Sequence, residues 1–160
     1  IKKRIDELRK TNSDMSIRTS IIVGFPGETD KEFNELYDFV KDTRFDRLGV
    51  FEYSEEEGTH GAKSFSDDVP KDIKKERREA IMMLQQKINY EKNIDRVGSK
   101  ERILIDVVND EGWSLGRSYR DAPEIDNYVK INQKLQVGNM YHVKIDKAYE
   151  YDVEGSLINE

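Results

Sequence analysis

The stretch Arg18–Thr29, RTSIIVGFPGET, decides how the first part of this chain folds. Its apolar end, Ile21-Ile22-Val23, suits a strand that is buried on both faces, as strands of parallel sheets are, and the strand is placed at residues 16–23. Pro26-Gly27 predicts a turn directly after it. Thr29 and Glu32 have the spacing of a capping box, so a helix is expected to begin there.

The segment that follows completes a strand–helix–strand unit. The apolar positions of the helix recur at helical spacing and are Phe33, Leu36, Tyr37 and Val40. Residues 48–53 are predicted to form the second strand, in which Phe51 and Tyr53 share one side and are expected to serve the core rather than to stack on a ligand. The pattern is that of a βαβ unit. An additional helix is expected at residues 1–10.

A long helix and a small barrel are expected beyond this unit. After a polar loop at residues 55–68, Pro70 favours the first turn of a helix that runs to about Val97, and Gly98 ends it. Its charged run, Lys74–Glu79, is interpreted as a solvated face. Short alternating segments then predict an antiparallel barrel of about five strands. The expected fold class is α/β followed by all-β, with domains at residues 1–97 and 98–160.

Composition limits the partners that this chain can bind. The 160 residues include 27 Lys and Arg, 33 Asp and Glu and no cysteine, and the net charge is −6. From residue 100 onward 8 basic residues stand against 12 acidic ones, a net charge of −4. This balance disfavours nucleic acid, whose phosphates need a cationic surplus, and favours a basic partner. No apolar run has the length of a membrane span and no signal peptide is visible, so a cytoplasmic protein without a membrane partner is expected.

Three blocks of the sequence carry a resemblance to a known family. They are Arg18–Thr29, Phe45–Thr59 (FDRLGVFEYSEEEGT) and Gly116–Asp126 (GRSYRDAPEID). In this order they resemble the C-terminal part of the radical-SAM methylthiotransferases that modify an aspartate of a small-subunit ribosomal protein, the RimO family. The resemblance implies the end of a radical-SAM (β/α) barrel followed by a TRAM domain, a small OB-like antiparallel β-barrel. A first residue of Ile1 fits a piece of such a longer chain.

The resemblance also implies cofactors and a place for one of them. Enzymes of this family use S-adenosylmethionine and two 4Fe–4S clusters, one to generate a radical and one to deliver sulfur. Without cysteine this chain offers no thiolate to a cluster, so no metal ligand and no catalytic residue are expected in it, and the isolated piece is expected to be inactive. The expected S-adenosylmethionine contacts are Val23, Gly24, Phe25, Tyr53 and Ser54.

The Gly116–Asp126 block is polar and contains a proline, so it is expected to be an exposed loop between strands and to recognise the substrate protein. Its polar side chains, together with a nearby tryptophan, form the predicted recognition set: Trp113, Arg117, Arg120, Asp121, Glu124 and Asp126. TRAM domains of related tRNA-modifying enzymes bind RNA, but the acidic balance favours a basic ribosomal protein over nucleic acid. A second interpretation of the block is a long loop that is closed by its own salt bridges.

Two other functions and one further association stay open. The chain could be a fragment of a tRNA methylthiotransferase, or a non-enzymatic binding module with a TRAM-like barrel. A βαβ piece without the rest of its barrel exposes strand edges and apolar faces. Self-association through residues 1–97 is therefore also expected.

Overall fold

The computed structural model describes residues 1–158, which divide into two compact units. The first unit is Ile1–Ile88 and the second begins at Asn89. The helix that contains this boundary therefore contributes to both units. Each unit has its own buried apolar cluster.

The first unit is a βαβ unit with additional helices. Its elements are α1 (Lys2–Thr11), β1 (Arg18–Val23), α2 (Asp30–Thr43), β2 (Arg47–Glu52), α3 (His60–Ser64) and α4 (Lys71–Arg96). The two strands are parallel, with Ile22 opposite Phe51. The βαβ prediction is thus confirmed. The predicted polar loop at residues 55–68 contains α3, which begins where the Thr59 side chain accepts a hydrogen bond from the Ala62 amide.

One face of the small sheet is covered by helices and the other is open. Val23 and Val50 are buried together with Val40 of α2 and Ile81 of α4. On the opposite face Ile22 is 56% exposed and Phe51 is 58% exposed. The expectation that Phe51 serves the core is wrong, because successive side chains of a strand point to opposite faces and Val50 takes the covered one.

The charged run at the start of α4 is only partly the solvated face that the sequence suggests, because Lys75, Glu76 and Glu79 are exposed but Lys74 and Arg77 are not. Lys74 is 3% exposed and Arg77 is 5% exposed. Both belong to a helical stripe that continues through the buried residues Ile81, Gln85 and Ile88. This face of α4 is therefore polar at its beginning and apolar in its middle.

The capping box at the start of α2 is present as predicted. Glu32 Oε2 accepts a hydrogen bond from the Thr29 amide at 2.8 Å, and Thr29 Oγ1 accepts one from the Glu32 amide at 3.5 Å. The bond from the Thr29 backbone lowers the pKa of Glu32. A carboxyl with a lowered pKa stabilises the folded state above its ordinary pKa, and this contribution is lost as the pH falls through the lowered value.

The second unit is a closed barrel of five strands. These are β3 (Lys100–Val108), β4 (Ser114–Arg117), β5 (Val129–Ile131), β6 (Met140–Ala148) and β7 (Val153–Leu157), in the order β3-β4-β5-β7-β6. The barrel is confirmed, but β5 and β7 are parallel, whereas an antiparallel barrel was expected. An odd number of strands around a closed ring cannot alternate in direction at every pair, so one parallel pair is unavoidable.

The barrel encloses a core of alternating strand residues. The buried members are Ile103, Ile105, Val129, Ile131, Val143, Ile145 and Val153. The last turns of α4 also belong to this unit. Asn93 Nδ2 donates to the carbonyl oxygens of Tyr149 and Tyr151 at 3.0 and 2.9 Å, and Arg96 pairs with Glu101 at 3.0 Å. The sequence places the domain boundary further along, near Gly98.

None of the helices in residues 1–158 combines the length and the apolar composition that crossing a bilayer needs.

The capping box gives a prediction about the stability of the first unit. Replacing Thr29 by Ala removes the side-chain acceptor and should lower the free energy of unfolding by about 1 kcal/mol. The matched control, Thr29→Ser, keeps the hydroxyl and should leave stability close to that of the parent. Far-UV circular dichroism during urea unfolding follows the helices, while the fluorescence of the single tryptophan, Trp113, follows the barrel. Equal losses in both variants would contradict a capping role.

Candidate functional site

The carboxyl ends of β1 and β2 form the first candidate site. Because the strands are parallel, both end at the same edge of the sheet, and the Tyr53 amide donates to the Val23 carbonyl oxygen at 2.9 Å. The predicted cofactor residues Val23, Gly24, Phe25, Tyr53 and Ser54 all lie at or directly after these two strand ends. The Val23 side chain is fully buried in the core, so only its backbone is available to a ligand.

An aromatic cluster stands at this edge. The rings of Phe25 and Tyr53 meet edge to face at 5.1 Å between centroids, and Phe65 contacts Phe25 at 5.6 Å. Phe25 is 41% exposed and Phe65 is 46% exposed. Ser54 lies beside the cluster in sequence, and its hydroxyl donates to Glu56 Oε1 at 2.8 Å. The cluster provides an accessible apolar surface directly beside the backbone of the β1–α2 turn.

Arg77 supports the β1–α2 turn. Glu28 Oε1 accepts hydrogen bonds from the Gly24 amide at 2.9 Å and from Arg77 Nη1 at 2.8 Å. The same guanidinium nitrogen donates to the Glu28 carbonyl oxygen at 3.0 Å, and Nη2 pairs with Asp30 at 2.8 Å. One buried guanidinium therefore fixes both the backbone and the side chain of the turn.

Lys74 supports the segment after β2. Its Nζ lies 2.6 Å from both carboxylate oxygens of Asp67 and donates to the Tyr53 carbonyl oxygen at 3.2 Å. The ammonium group also lies 5.1 Å from the centre of the Tyr53 ring. The aliphatic stem of Lys74 passes over Gly24, where a Cβ atom would overlap Lys74 Cγ. A single buried lysine thus contacts both strand ends.

The buried position of these polar residues was not predicted from the sequence. A signal was available in the spacing of α4. Arg77 lies three residues after Lys74 and four residues before Ile81, so all three share one face of the helix. Of the carboxylates that neutralise the two cations, Asp67 lies 7 residues before Lys74, but Glu28 lies 49 residues before Arg77. Within residues 1–158 no group of three or more His, Cys, Asp or Glu side chains is placed to hold a metal ion.

The passage of Lys74 over Gly24 gives a prediction that separates two costs. Gly24 and Gly27 have φ angles of 71° and 81°, so alanine is strained at both positions. A methyl group at Gly27 meets open space, whereas one at Gly24 must displace Lys74. We expect Gly27→Ala to lower the free energy of unfolding by about 1 kcal/mol and Gly24→Ala to lower it by clearly more. Equal losses in urea unfolding would contradict the packing of Lys74 on Gly24.

The second candidate site is the connection between β4 and β5 of the barrel. The predicted recognition block begins inside β4, because Gly116 pairs with Ile105 on one side and with Val129 on the other. Gly116 and Arg117 are therefore strand residues, contrary to the expectation of a loop over the whole block. The loop proper follows them.

Several predicted recognition residues hold the barrel and its loop together. Arg117 lies 3.4 Å from Asp106 on the neighbouring strand. Asp121 Oδ2 accepts the Ser118 hydroxyl at 2.7 Å, and Asp121 is only 9% exposed. Asp126 Oδ2 accepts the Ala122 amide at 2.6 Å. These two bonds within the loop are hydrogen bonds, whereas the second interpretation of the block expects a loop closed by its own salt bridges, and the ion pair of Arg117 joins β4 to β3.

Of the remaining predicted residues, Glu124 is exposed, whereas Arg120 and Trp113 are half-buried. Arg120 stacks on the Tyr119 ring at 4.8 Å, and Glu124 is exposed with a φ of 65°. Trp113 lies just before β4, and its Nε1 donates to Glu111 at 3.0 Å. The Lys130 ammonium group lies over the Trp113 ring, 5.2 Å from the ring centre. These residues leave polar and aromatic groups on the surface of the barrel.

The apolar part of this surface was not predicted from the sequence. Tyr119 is 63% exposed and Ile125 is 75% exposed within the loop. Next to the loop lies a groove of about 440 Å³, lined among others by Arg102, Leu104, Tyr119 and Met140. The groove joins apolar walls to a guanidinium group, which is the composition of many protein-binding surfaces.

The class of protein is defined by a TRAM domain that follows a βαβ unit in the chain. Residues 97–158 match the family model described as the TRAM domain, and the strand ends of the βαβ unit form a candidate cofactor site.

Known relatives then identify the family. The chain is 44% identical, over an alignment of 162 positions that spans 100% of the chain, to the ribosomal protein uS12 methylthiotransferase RimO of Clostridium kluyveri, of which it covers 36%. The identity is 46% over 97% of the chain for the RimO protein of Thermosipho melanesiensis, and 42% over 99% for that of Vibrio cholerae, with 36% and 34% of those proteins covered. The chain belongs to the RimO family and spans about a third of the length of these relatives.

Proposed function

We propose that this chain is the C-terminal part of a methylthiotransferase that modifies an aspartate of ribosomal protein uS12. The similarity over the whole chain to RimO proteins, whose names state uS12 methylthiotransferase, carries this proposal. The order of the units also supports it, since a strand-end site precedes a TRAM domain in the chain.

The strand-end site fits the adenosyl part of S-adenosylmethionine. Ligands of α/β folds bind at the carboxyl ends of parallel strands. The exposed ring of Phe25 offers an apolar surface for a purine. Open space adjoins Gly27 and Gly58, where an added methyl group would meet no neighbouring atom of the described residues within 4 Å. The backbone of Val23 and Gly24, together with Tyr53 and Ser54, would complete the contacts.

The iron–sulfur clusters do not fit residues of this chain. It has no cysteine, and thiolates are the usual ligands of such clusters. In the proposed enzyme the clusters supply electrons and sulfur from elsewhere in the protein. The contribution of this chain is to bind the adenosyl group and the substrate protein.

An exchange of segments tests the proposed activity. In a chimera this chain replaces the matching third of the Clostridium kluyveri enzyme. We expect reconstituted chimera to methylthiolate uS12 within about tenfold of the parental rate, as measured by mass spectrometry of uS12. The parental enzyme cut off before the matched segment is the control and should be inactive. A chimera that modifies transfer RNA and leaves uS12 untouched would favour the tRNA-modifying alternative.

The TRAM domain is proposed to bind uS12 rather than RNA. Its net charge of −4 from residue 100 onward disfavours a phosphate backbone. Glu124 offers an exposed carboxylate to basic side chains, and Tyr119 and Ile125 offer exposed apolar contacts beside it. An aromatic and apolar surface with an acidic rim suits a basic protein.

A titration at fixed salt tests this choice of partner. We expect the chain to bind purified uS12 more tightly than transfer RNA. Glu124→Lys should weaken the uS12 complex severalfold, because it reverses an exposed charge at the contact. Glu150→Lys makes the same change in the exposed turn between β6 and β7 and should have little effect. Tight binding of transfer RNA with none of uS12 would overturn the proposal.

A further inference from the structure

Two buried cations at the start of α4 contact the segments that follow β1 and β2. Lys74 and Arg77 contact the turn after β1, and Lys74 also contacts the segment after β2. Burial of a charged group is strongly unfavourable unless partners compensate for it. A chain that buries two of them at one edge of a sheet holds that edge in a defined geometry.

We propose that Lys74 and Arg77 are positioning residues that hold the two strand-end segments in the shape that binds S-adenosylmethionine. The inference rests on the proposed function, because the ligand is the one assigned to the strand-end site there. Neither residue needs to contact the ligand. Each acts by fixing the backbone conformation of the residues that would contact it.

The role of Arg77 follows from the bonds around Glu28. The guanidinium binds the Glu28 side chain, which in turn accepts the Gly24 amide at 2.9 Å. This fixes the direction of the Gly24 peptide, which lies at the point where the chain leaves β1. Arg77 is only 5% exposed, so water competes little for these bonds and they hold the turn more firmly than exposed bonds would.

The role of Lys74 follows from its position across both strand ends. Its ammonium group holds the Tyr53 carbonyl oxygen and the Asp67 carboxylate, while its stem packs on Gly24. The carboxylate belongs to the segment between α3 and α4, in which Asp68 accepts the Gly27 amide at 2.8 Å. Lys74 therefore fastens the segment after β2 and the segment before α4 to the turn after β1.

Amide hydrogen exchange on this chain tests the fastening without any cofactor. Lys74→Met keeps most of the stem and removes the charge, and it should accelerate exchange at least about tenfold in peptides covering residues 24–29 and 53–59. Lys75→Met is the matched control, since Lys75 is exposed and lies 3.9 Å from Glu79 on the helix surface. An unchanged exchange rate in the Lys74 variant would contradict the claim that Lys74 holds the segments after β1 and β2 in place. If Lys74→Met does not fold, Asp67→Asn removes the same ion pair from a segment that is partly exposed.

Kinetics of the chimera test the consequence for the cofactor. Lys74→Met and Arg77→Met should raise the KM for S-adenosylmethionine at least about tenfold and change kcat less than about threefold. Arg77→Lys keeps the positive charge but loses the forked guanidinium, so it should recover only part of the affinity. A KM that stays at the parental value, with or without a fall in kcat, overturns the positioning role alone. If the chimera without substitutions binds no S-adenosylmethionine in equilibrium dialysis, the proposed function and this inference are overturned together.

Discussion

Compensation of buried charge on α4 is the constraint on which both units depend. At the beginning of the helix, Lys74 and Arg77 are neutralised by carboxylates from loops of the first unit. At its end, Arg96 pairs with Glu101 of the barrel, and both side chains are about one-tenth exposed. Removal of one partner from such a pair leaves an uncompensated charge and is strongly destabilising. The loops that provide the carboxylates are therefore fixed in place by the helix, although they lack regular structure of their own.

The elements that were predicted from the sequence are those whose signals are local. The capping box of Thr29 and Glu32, the apolar stripe of α2 and the glycine after α4 each act within a few residues, so pattern alone identified them. The barrel was recognisable from alternation, since Ile103, Ile105, Val143 and Ile145 all point inward. β4 was not placed because it has only four residues and lies within a polar, glycine-containing block.

The parts that escaped prediction depend on partners outside their own helix or strand. Lys74 and Arg77 belong to a run of charges that is solvated in most helices, and only the loops around Glu28 and Asp67 turn it inward. The direction of β7 relative to β5 follows from closure of the ring and not from either strand. Phe51 is apolar and lies in a strand, but no element among residues 1–158 covers it. Its exposure together with Ile22 is consistent with the expected self-association of this segment, which stays a prediction.

The internal bonds of the β4–β5 loop change which residues can recognise a partner. Asp121 and Asp126 use their carboxylates within the loop, and Arg117 is held against Asp106. A basic protein that approaches this loop therefore meets fewer available carboxylates than the sequence suggests. Tyr119 and Ile125 can therefore contribute more to the binding free energy than the carboxylates, because burial of an apolar side chain contributes about 1.5–3 kcal/mol. In the proposed complex the charge of the barrel would guide the encounter with uS12, and the apolar residues of the loop would contribute most of the affinity.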